Sequence, residues 1–517
     1  MDAAKRTRLE KHWSYQYRIH ALGLIDEQPF AKYFHPDNGR PNASIRLVMS
    51  VLLFKEIFDL TDQETLEQLE WNHAWHYALD ITADEAHTCQ KTLHNYRVLL
   101  CNDDEGMALF EQTTARVIAA AGLRTRHQRM DSTHILSNIK VLSRLGLFTQ
   151  TMTQFLAAFR KRHPRLCGRI PTELLERYLD REGYFSDAKS SEGQRRLQQV
   201  AQDIWWVVRE LGDHRKVRRM PEYSLLARLF HEQCEVPEEA VPEEVVLLER
   251  PSSGSLQSPA DPDATYGHKG KGYETQLAET CEAGNPFEVV TAVHVNGANE
   301  SDQHQVDEVL EQTERTCGES PDEMFADAGY ASGDNILSAR ERGTELVAPI
   351  GSKESKKAVL GLEQFEFDES GEQLLRCPAG QEPRKQTRTR GGKTHQAWFH
   401  KSQCRGCPHR SQCPAENRKR GSLRRVLSFT PASVAIAQRR AEQQTPDFKE
   451  RYKIRSGIEA TNSELKRCHG LGKLRVRHRP RVALSTRLKA LALNFKRYLQ
   501  HLVEVSAESA ENAPVMA

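Results

Sequence analysis

RYKIRSGIEATNSELKRCHG, residues 451–470, decides how this chain is read. It carries Tyr452, Arg455, Glu459 and Lys466. On a helix, at about 100° per residue, these four side chains fall within an arc of roughly 60°. A carboxylate flanked by a guanidinium, an ammonium and a phenol suits a metal ion held beside a phosphate. The same pattern also describes an exposed i, i+4 charge ladder, which contributes little energy. One carboxylate does not make a metal site, and two further acids stand at predicted strand ends. Asp131 follows TRHQRM and precedes STHILS; Asp327 follows EMFA and precedes AGYASGDN, a small-residue turn from which a helix can begin. Either aspartate alone reads as a turn or N-cap residue, but with Glu459 they make a candidate set of three. Glu464 competes with Glu459 but lies about 140° further round the helix, so Glu459 is preferred.

MDST around Asp131, FADAGYAS around Asp327 and the Tyr452, Arg455, Glu459, Lys466 signature resemble the DDE transposases of bacterial insertion sequences, over about residues 35 to 500. The resemblance implies an α/β fold, a ribonuclease H-like mixed sheet flanked by helices. It implies a transposase that cleaves the ends of its element and joins the 3′-hydroxyl ends to target DNA. Asp131, Asp327 and Glu459 are then both the catalytic residues and the ligands of Mg²⁺, with Mn²⁺ as a substitute. Two such ions about 4 Å apart stabilise the attacking and leaving oxygens of an in-line displacement, and magnesium prefers hard oxygen ligands. Tyr452, Arg455 and Lys466 are expected to contact DNA phosphates, Arg455 bidentately and Lys466 as a point charge. Asn462, close to the same helical face, is a further candidate DNA contact. The expected partners are terminal inverted repeats, target DNA and a second copy of the chain.

A net charge of +2 over 517 residues hides strong segregation. Arg384 to Arg425 holds thirteen Lys or Arg against one acid, and Lys449 to Arg497 fifteen against three. Blocks this basic suit a polyanion, because each neutralised phosphate releases counterions; a solvated surface is the alternative. HEQCEVPEEAVPEEVVLLE, residues 231–249, is acidic instead. No apolar run is long enough to span a bilayer and the charged start lacks the apolar core of a secretory signal, so a cytoplasmic protein with no membrane partner is expected. An odd count of eleven cysteines argues against a secreted disulfide scaffold.

Residues 1–124 read as a helical N-terminal domain for DNA binding or dimerisation, with a scaffold as the alternative, and Thr61 or Asp62 as a cap. Residues 125–350 read as the first part of the catalytic domain, with QRMDSTHI its first strand and a helical insertion over about 140–249. RPSSGSLQSPADPD reads as a linker. YETQLAETCE and FEVVTAVHVNG are strands, DQHQVDEVLEQTERT a helix, and EMFADAGY and TELVAPI further strands. HKGKGYE, with Lys269, carries cations that suit phosphate but no Walker spacing, which excludes it as a nucleotide loop.

Residues 351–425 read as a basic, Cys-containing, β-rich insertion, followed by a C-terminal catalytic part over 426–505 and a disordered tail over 506–517. Cys377, Cys404, Cys407 and Cys413 contain one C-x2-C pair, a metal-ligand spacing, and form a candidate structural Zn²⁺ site with His409 as an alternative ligand; reduced or redox-active thiols are the other reading. Related transposases use an insertion here to hold the DNA end and receive a flipped base. That makes Trp398 a stacking candidate, against the alternative of a core tryptophan. A catalytic transposase is weighed against a non-catalytic DNA-binding relative and against a nuclease that cuts without joining.

Overall fold

SIRLVMSVLLFKEI becomes the helix Ile45–Ile57 (α1), started by Ser44, whose hydroxyl accepts the Leu47 N–H. Thr61 caps Asp62–Trp71 (α2) through a reciprocal capping box with Glu64. That helix ends before Asn72, whose side chain caps a new one, His73–Leu79. The computed structural model describes residues 3–33, 44–102, 104–180, 190–236, 245–351, 360–389, 391–417 and 423–511.

The N-terminal helices, including Asp104–Ala121 (α3), have no core of their own. Tyr17, Phe54, Trp75 and Val117 share one buried cluster with Leu277, Val290 and Val293 of the sheet and with Leu491 and Phe495 near the C-terminus. This helical region is therefore a layer packed on one sheet face.

The strand predicted at QRMDSTHI is His127–Ile135 (β1), at the centre of a six-stranded sheet. After it, Arg144–Arg162 (α4), Ser190–Leu211 (α5) and Pro221–Gln233 (α6) build the helical insertion around a separate core that includes Phe148, Phe155, Ile204 and Phe230. The sheet resumes with Gly270–Thr280 (β2), which pairs antiparallel with β1 from Gln128↔Thr280 to Ile135↔Tyr273. Val290–Gly297 (β3) pairs antiparallel with β2. Val306–Cys317 (α7) crosses to Glu323–Phe325 (β4), parallel to β1, and Gly333–Glu341 (α8) crosses to Glu345–Val347 (β5), parallel to β4. The order β3-β2-β1-β4-β5, with short Thr265–Gly267 also on β2, is a meander followed by two crossover connections. Both faces are covered, so β2 is buried along nearly its whole length. The second face packs Met130, Val309, Tyr330 and Ile336.

Lys385–Arg388 (β6), His395–His400 (β7) and Arg424–Phe429 (β8) form most of a small sheet in the Cys-containing insertion. Its core contains Phe365, Leu374, Ala397, Phe399, Leu427 and Phe429. Pro431–Glu442 (α9), Pro446–Tyr452 (α10) and Ile458–Cys468 (α11) return the chain to the main sheet, and Arg479–Glu511 (α12) closes the first core. The predicted tail is helix through Glu511, where α12 continues past residue 506; residues 512–517 lie outside the described residues. Among the described residues no helix is long and apolar enough to cross a membrane. The sheet order, with β1, β4 and β5 parallel, is the ribonuclease H-like arrangement.

Candidate active site

Parallel pairing of β1 with β4 places His127 beside Glu323 and Arg129 beside Phe325. Asp131 and Asp327 each lie two residues beyond the last pair of that register, Arg129 and Phe325. Asp131 does not end its own strand, as predicted; β2 pairs it on as far as Ile135. It lies instead just beyond the parallel ladder, because β4 stops at Phe325. Asp327 opens the following turn, its Oδ1 accepting the Gly329 N–H at 2.7 Å. A Cβ at residue 329 would sit 2.9 Å from that oxygen, so only glycine fits without a shift.

The predicted single helical face across Tyr452 to Lys466 is corrected. Tyr452 ends α10, Arg455 lies in a 3-10 turn, Lys453–Gly457, and Glu459 and Lys466 belong to α11. Arg129 accounts for the break. Its Nη1 donates to the Ile454 carbonyl at 2.9 Å, and a Cβ at Gly457 would lie 1.9 Å from that nitrogen. Its Nε donates to the fully buried Glu279 at 2.8 Å. Glu279 in turn accepts the Thr461 hydroxyl at 2.6 Å, so the start of α11 is tied to the sheet. Sequence reasoning missed Arg129 and Glu279. The available signal was the alternation of β1, which puts Arg129 on the same face as Asp131.

The tie brings the three acids around one guanidinium. Arg455 Nη2 lies 3.0 Å from Asp131 Oδ1 and 3.9 Å from Asp327 Oδ2, and its Nη1 lies 3.1 Å from Glu459 Oε1. The Asp131 side chain is 15% exposed, that of Glu459 65%. Burial pushes the Asp131 carboxyl above the usual range against the opposing charge of Arg455. Glu464 is occupied elsewhere, by Lys496 at 2.7 Å and Arg497 at 3.3 Å. The three carboxylates supply the hard oxygens a divalent metal takes, but their own oxygens do not all lie within 4.8 Å of one another, so a shared ion would draw them closer.

The side chains predicted as DNA contacts are placed differently. Asn462 is almost buried and its Nδ2 donates to Asp131 Oδ2 at 3.1 Å, so it holds the aspartate rather than facing outward. The Tyr452 hydroxyl donates to the Ala326 carbonyl at 3.1 Å, and the half-buried ring stacks on Phe448, bracing the strand end before Asp327. Burial raises its phenol pKa. Lys466 lines an open cleft of about 430 Å³ with Asp131, Glu459, Lys269 and Arg467. Burial, and then Lys269, lower the Lys466 pKa.

Trp398 is not in the core. Its neighbours Ala397 and Phe399 are, and strand alternation puts Trp398 on the other side of β7. There it is half-buried, donates to the Thr387 hydroxyl at 3.1 Å and lines a cleft with Arg384, Lys385 and Arg424. Cys377, Cys404 and Cys413 pack against the insertion core. Burial raises the Cys404 thiol pKa against the charge of Arg425, with the thiols of Cys413, Cys407 and Cys377 adding to the rise.

Among the described residues, the three ligand-type side chains whose atoms approach within 4.8 Å of one another are Asp261, Asp263 and His478; no three cysteine sulfurs do. That group is spaced for an ion; one oxygen of each aspartate is hydrogen-bonded, while Asp261 Oδ2 is buried without a hydrogen-bond partner among the described residues. Asp261 accepts the Tyr273 hydroxyl at 2.7 Å and the His478 N–H at 3.1 Å, and Asp263 accepts the Arg479 N–H at 3.1 Å. Both carboxylates cap the start of α12, where the helix dipole favours them.

One aspartate on the central strand, a second just past the end of its parallel neighbour and a glutamate on a following helix stand together on a ribonuclease H-like fold. Residues 376–499 match a family model described as a transposase DDE domain, and residues 17–99 one described as a transposase domain (DUF772). No curated protein and no solved structure matches the chain. The two matches support a DDE transposase of an insertion sequence. The DDE match includes Glu459 but begins after both aspartates, so their assignment stands on the geometry.

Proposed function

We propose that this transposase cleaves DNA at the ends of its own element and transfers the 3′-hydroxyl ends into target DNA, with Asp131, Asp327 and Glu459 holding divalent metal, Mg²⁺ by preference and Mn²⁺ as a substitute. The observation carrying this reading is the approach of all three carboxylates to the Arg455 guanidinium. The bound metal would stabilise the attacking and leaving oxygens of an in-line displacement. Asn462 holds Asp131 and Tyr452 braces the strand that delivers Asp327. Lys269 and Lys466 line the cleft and are placed for the DNA backbone, as point charges. Arg455 is the second residue of the Tyr-Arg-Glu-Lys signature, to whose subgroup we assign the chain. The substrate is double: two inverted-repeat ends, each handled by one copy in a homodimer.

The test is a strand-transfer assay with a precleaved terminal-repeat duplex, Mg²⁺ and a plasmid target. Covalent joining of the 3′ end is the expected outcome. Cleavage of an uncut end with no joining of a precleaved one would identify a nuclease instead.

Trp398, beside Arg384, Lys385 and Arg424, is proposed as the stacking surface for an extruded base. The four cysteines are proposed to bind one structural Zn²⁺. The insertion has a small core for its length, and three of the cysteines already pack on it; modules of this size commonly need a staple. Binding requires the Cys377 and Cys404–Cys413 turns to close on the ion, since the sulfurs stand wider than ligand spacing. About one zinc per purified chain, lost with Cys404→Ser and Cys377→Ser, is expected by elemental analysis. Metal-free protein with an unchanged melting profile would remove the site.

A further inference from the structure

A phosphate contact alone does not account for the place Arg455 occupies. Its side chain is only 16% exposed, and its two terminal nitrogens are directed at all three acids. Both oxygens of Asp131 are engaged, Oδ1 by Arg455 and Oδ2 by Asn462. Arg455 Nε, in contrast, is buried without a hydrogen-bond partner among the described residues. The guanidinium is held from its outer end only, on a 3-10 turn between two helices. Such turns have poorer hydrogen-bond geometry than α-helix and frequently act as hinges.

We infer that Arg455 is an internal cation that competes with the divalent metal for Asp131, Asp327 and Glu459, and that metal entry releases it to a phosphate of the substrate. The inference rests on the proposed role of those three acids as metal ligands. Three carboxylates converging without a cation repel one another, and the guanidinium removes that repulsion in the metal-free protein. It cannot leave by losing its proton, because arginine stays charged in proteins. It has to move, and an arriving divalent ion supplies the repulsion that moves it. The planar fork that fits carboxylates fits a phosphate equally well, so the same side chain serves before and after the metal enters. Of the signature cations, Arg455 alone pairs with the acids among the described residues: Lys466 lines the cleft and makes no ion pair with the triad there.

The experiment is Mn²⁺ binding without DNA, read as the disappearance of the free-ion electron paramagnetic resonance signal. Wild type, Arg455→Gln and Arg455→Lys are compared, each with and without Asp327→Asn. Removing the competitor tightens Mn²⁺ binding by roughly tenfold in Arg455→Gln, with Arg455→Lys between the two, because lysine keeps the charge and loses the fork. The ordering of the Lys variant keeps the test decisive if the Gln variant folds poorly. Binding that is unchanged or weaker in both variants, while Asp327→Asn still weakens it, overturns the competition and leaves the triad standing. Binding indifferent to Asp327→Asn in every background overturns the metal-ligand reading, and the competition falls with it.

Discussion

Asp131→Asn, Asp327→Asn and Glu459→Gln are each expected to lower Mg²⁺-dependent cleavage of an element end by on the order of 10³-fold or more. A metal at a transferring phosphoryl group contributes several kcal/mol of charge stabilisation, and each ~1.4 kcal/mol is tenfold in rate. The amide variants keep side-chain volume, so packing is not the cause of the loss. Asp131→Asn suffers twice, since its new NH₂ faces donors whichever way it turns: Arg455 on one side and Asn462 on the other. Glu459 is the most exposed of the three and makes its contact with Arg455 alone, so Glu459→Gln leaves the fold closest to wild type.

DNA binding in these variants should hold, because the cations of the cleft and of the β6–β8 insertion are untouched. Electrophoretic mobility shift on a terminal-repeat duplex, run beside the cleavage assay at one fixed salt concentration, separates the two effects. Cleavage that persists in all three variants would sink the assignment. Equal loss of binding and cleavage would make the acids structural, the non-catalytic alternative.

How much of this was legible from the residues depends on the range over which each feature is set. The β1, β2, β3, α7, β4, α8, β5 order follows from local patterning, period 2 for strands and 3.6 for helices, and it was readable. The Cys-containing insertion was readable too, from composition and two strand-like pieces. The helical continuity of 452–466 was misread because the break comes from a long-range partner. Arg129 lies more than three hundred residues away in sequence, and periodicity carries no trace of its hydrogen bond to Ile454. The same limit applies to Asn462 and Tyr452. Their spacing in the signature is local information, but whether they face DNA or hold Asp131 and the β4 end is decided by the sheet. The N-terminal layer was read as separate because its helices are amphipathic in their own right; that their apolar faces meet β3 and α12 is visible only once the chain is folded.

A second large effect is expected far from the acids, at Glu56. This side chain is buried on α1, between Lys55 at 3.1 Å and Lys489 of α12. Lys489 also donates to the His469 carbonyl, and the His469 ring contacts the Glu56 carbonyl at 2.9 Å, so the group fastens the end of α11 to the N-terminal layer. Burial works against the Glu56 carboxylate, but Lys489 and Lys55 outweigh it and hold its pKa below the usual carboxylate range. A depressed folded value means stability that is present above the ordinary carboxylate pKa and lost as pH falls through the folded one. Glu56→Gln removes the charge at every pH and leaves the two buried ammonium groups only the more distant carboxylates of Asp62 and Asp59, each 4.0 Å away, a loss of about 3 kcal/mol. Differential scanning calorimetry should show the first transition shifted down near pH 7, with less further shift than wild type on acidification. Adding Lys489→Met to Glu56→Leu removes one stranded charge with its partner and should recover part of the loss, since apolar replacement of a buried pair is often neutral. A Glu56→Gln transition matching wild type at pH 7 would show that the lysines are solvated in solution and that α11 is held by its contacts with the sheet instead.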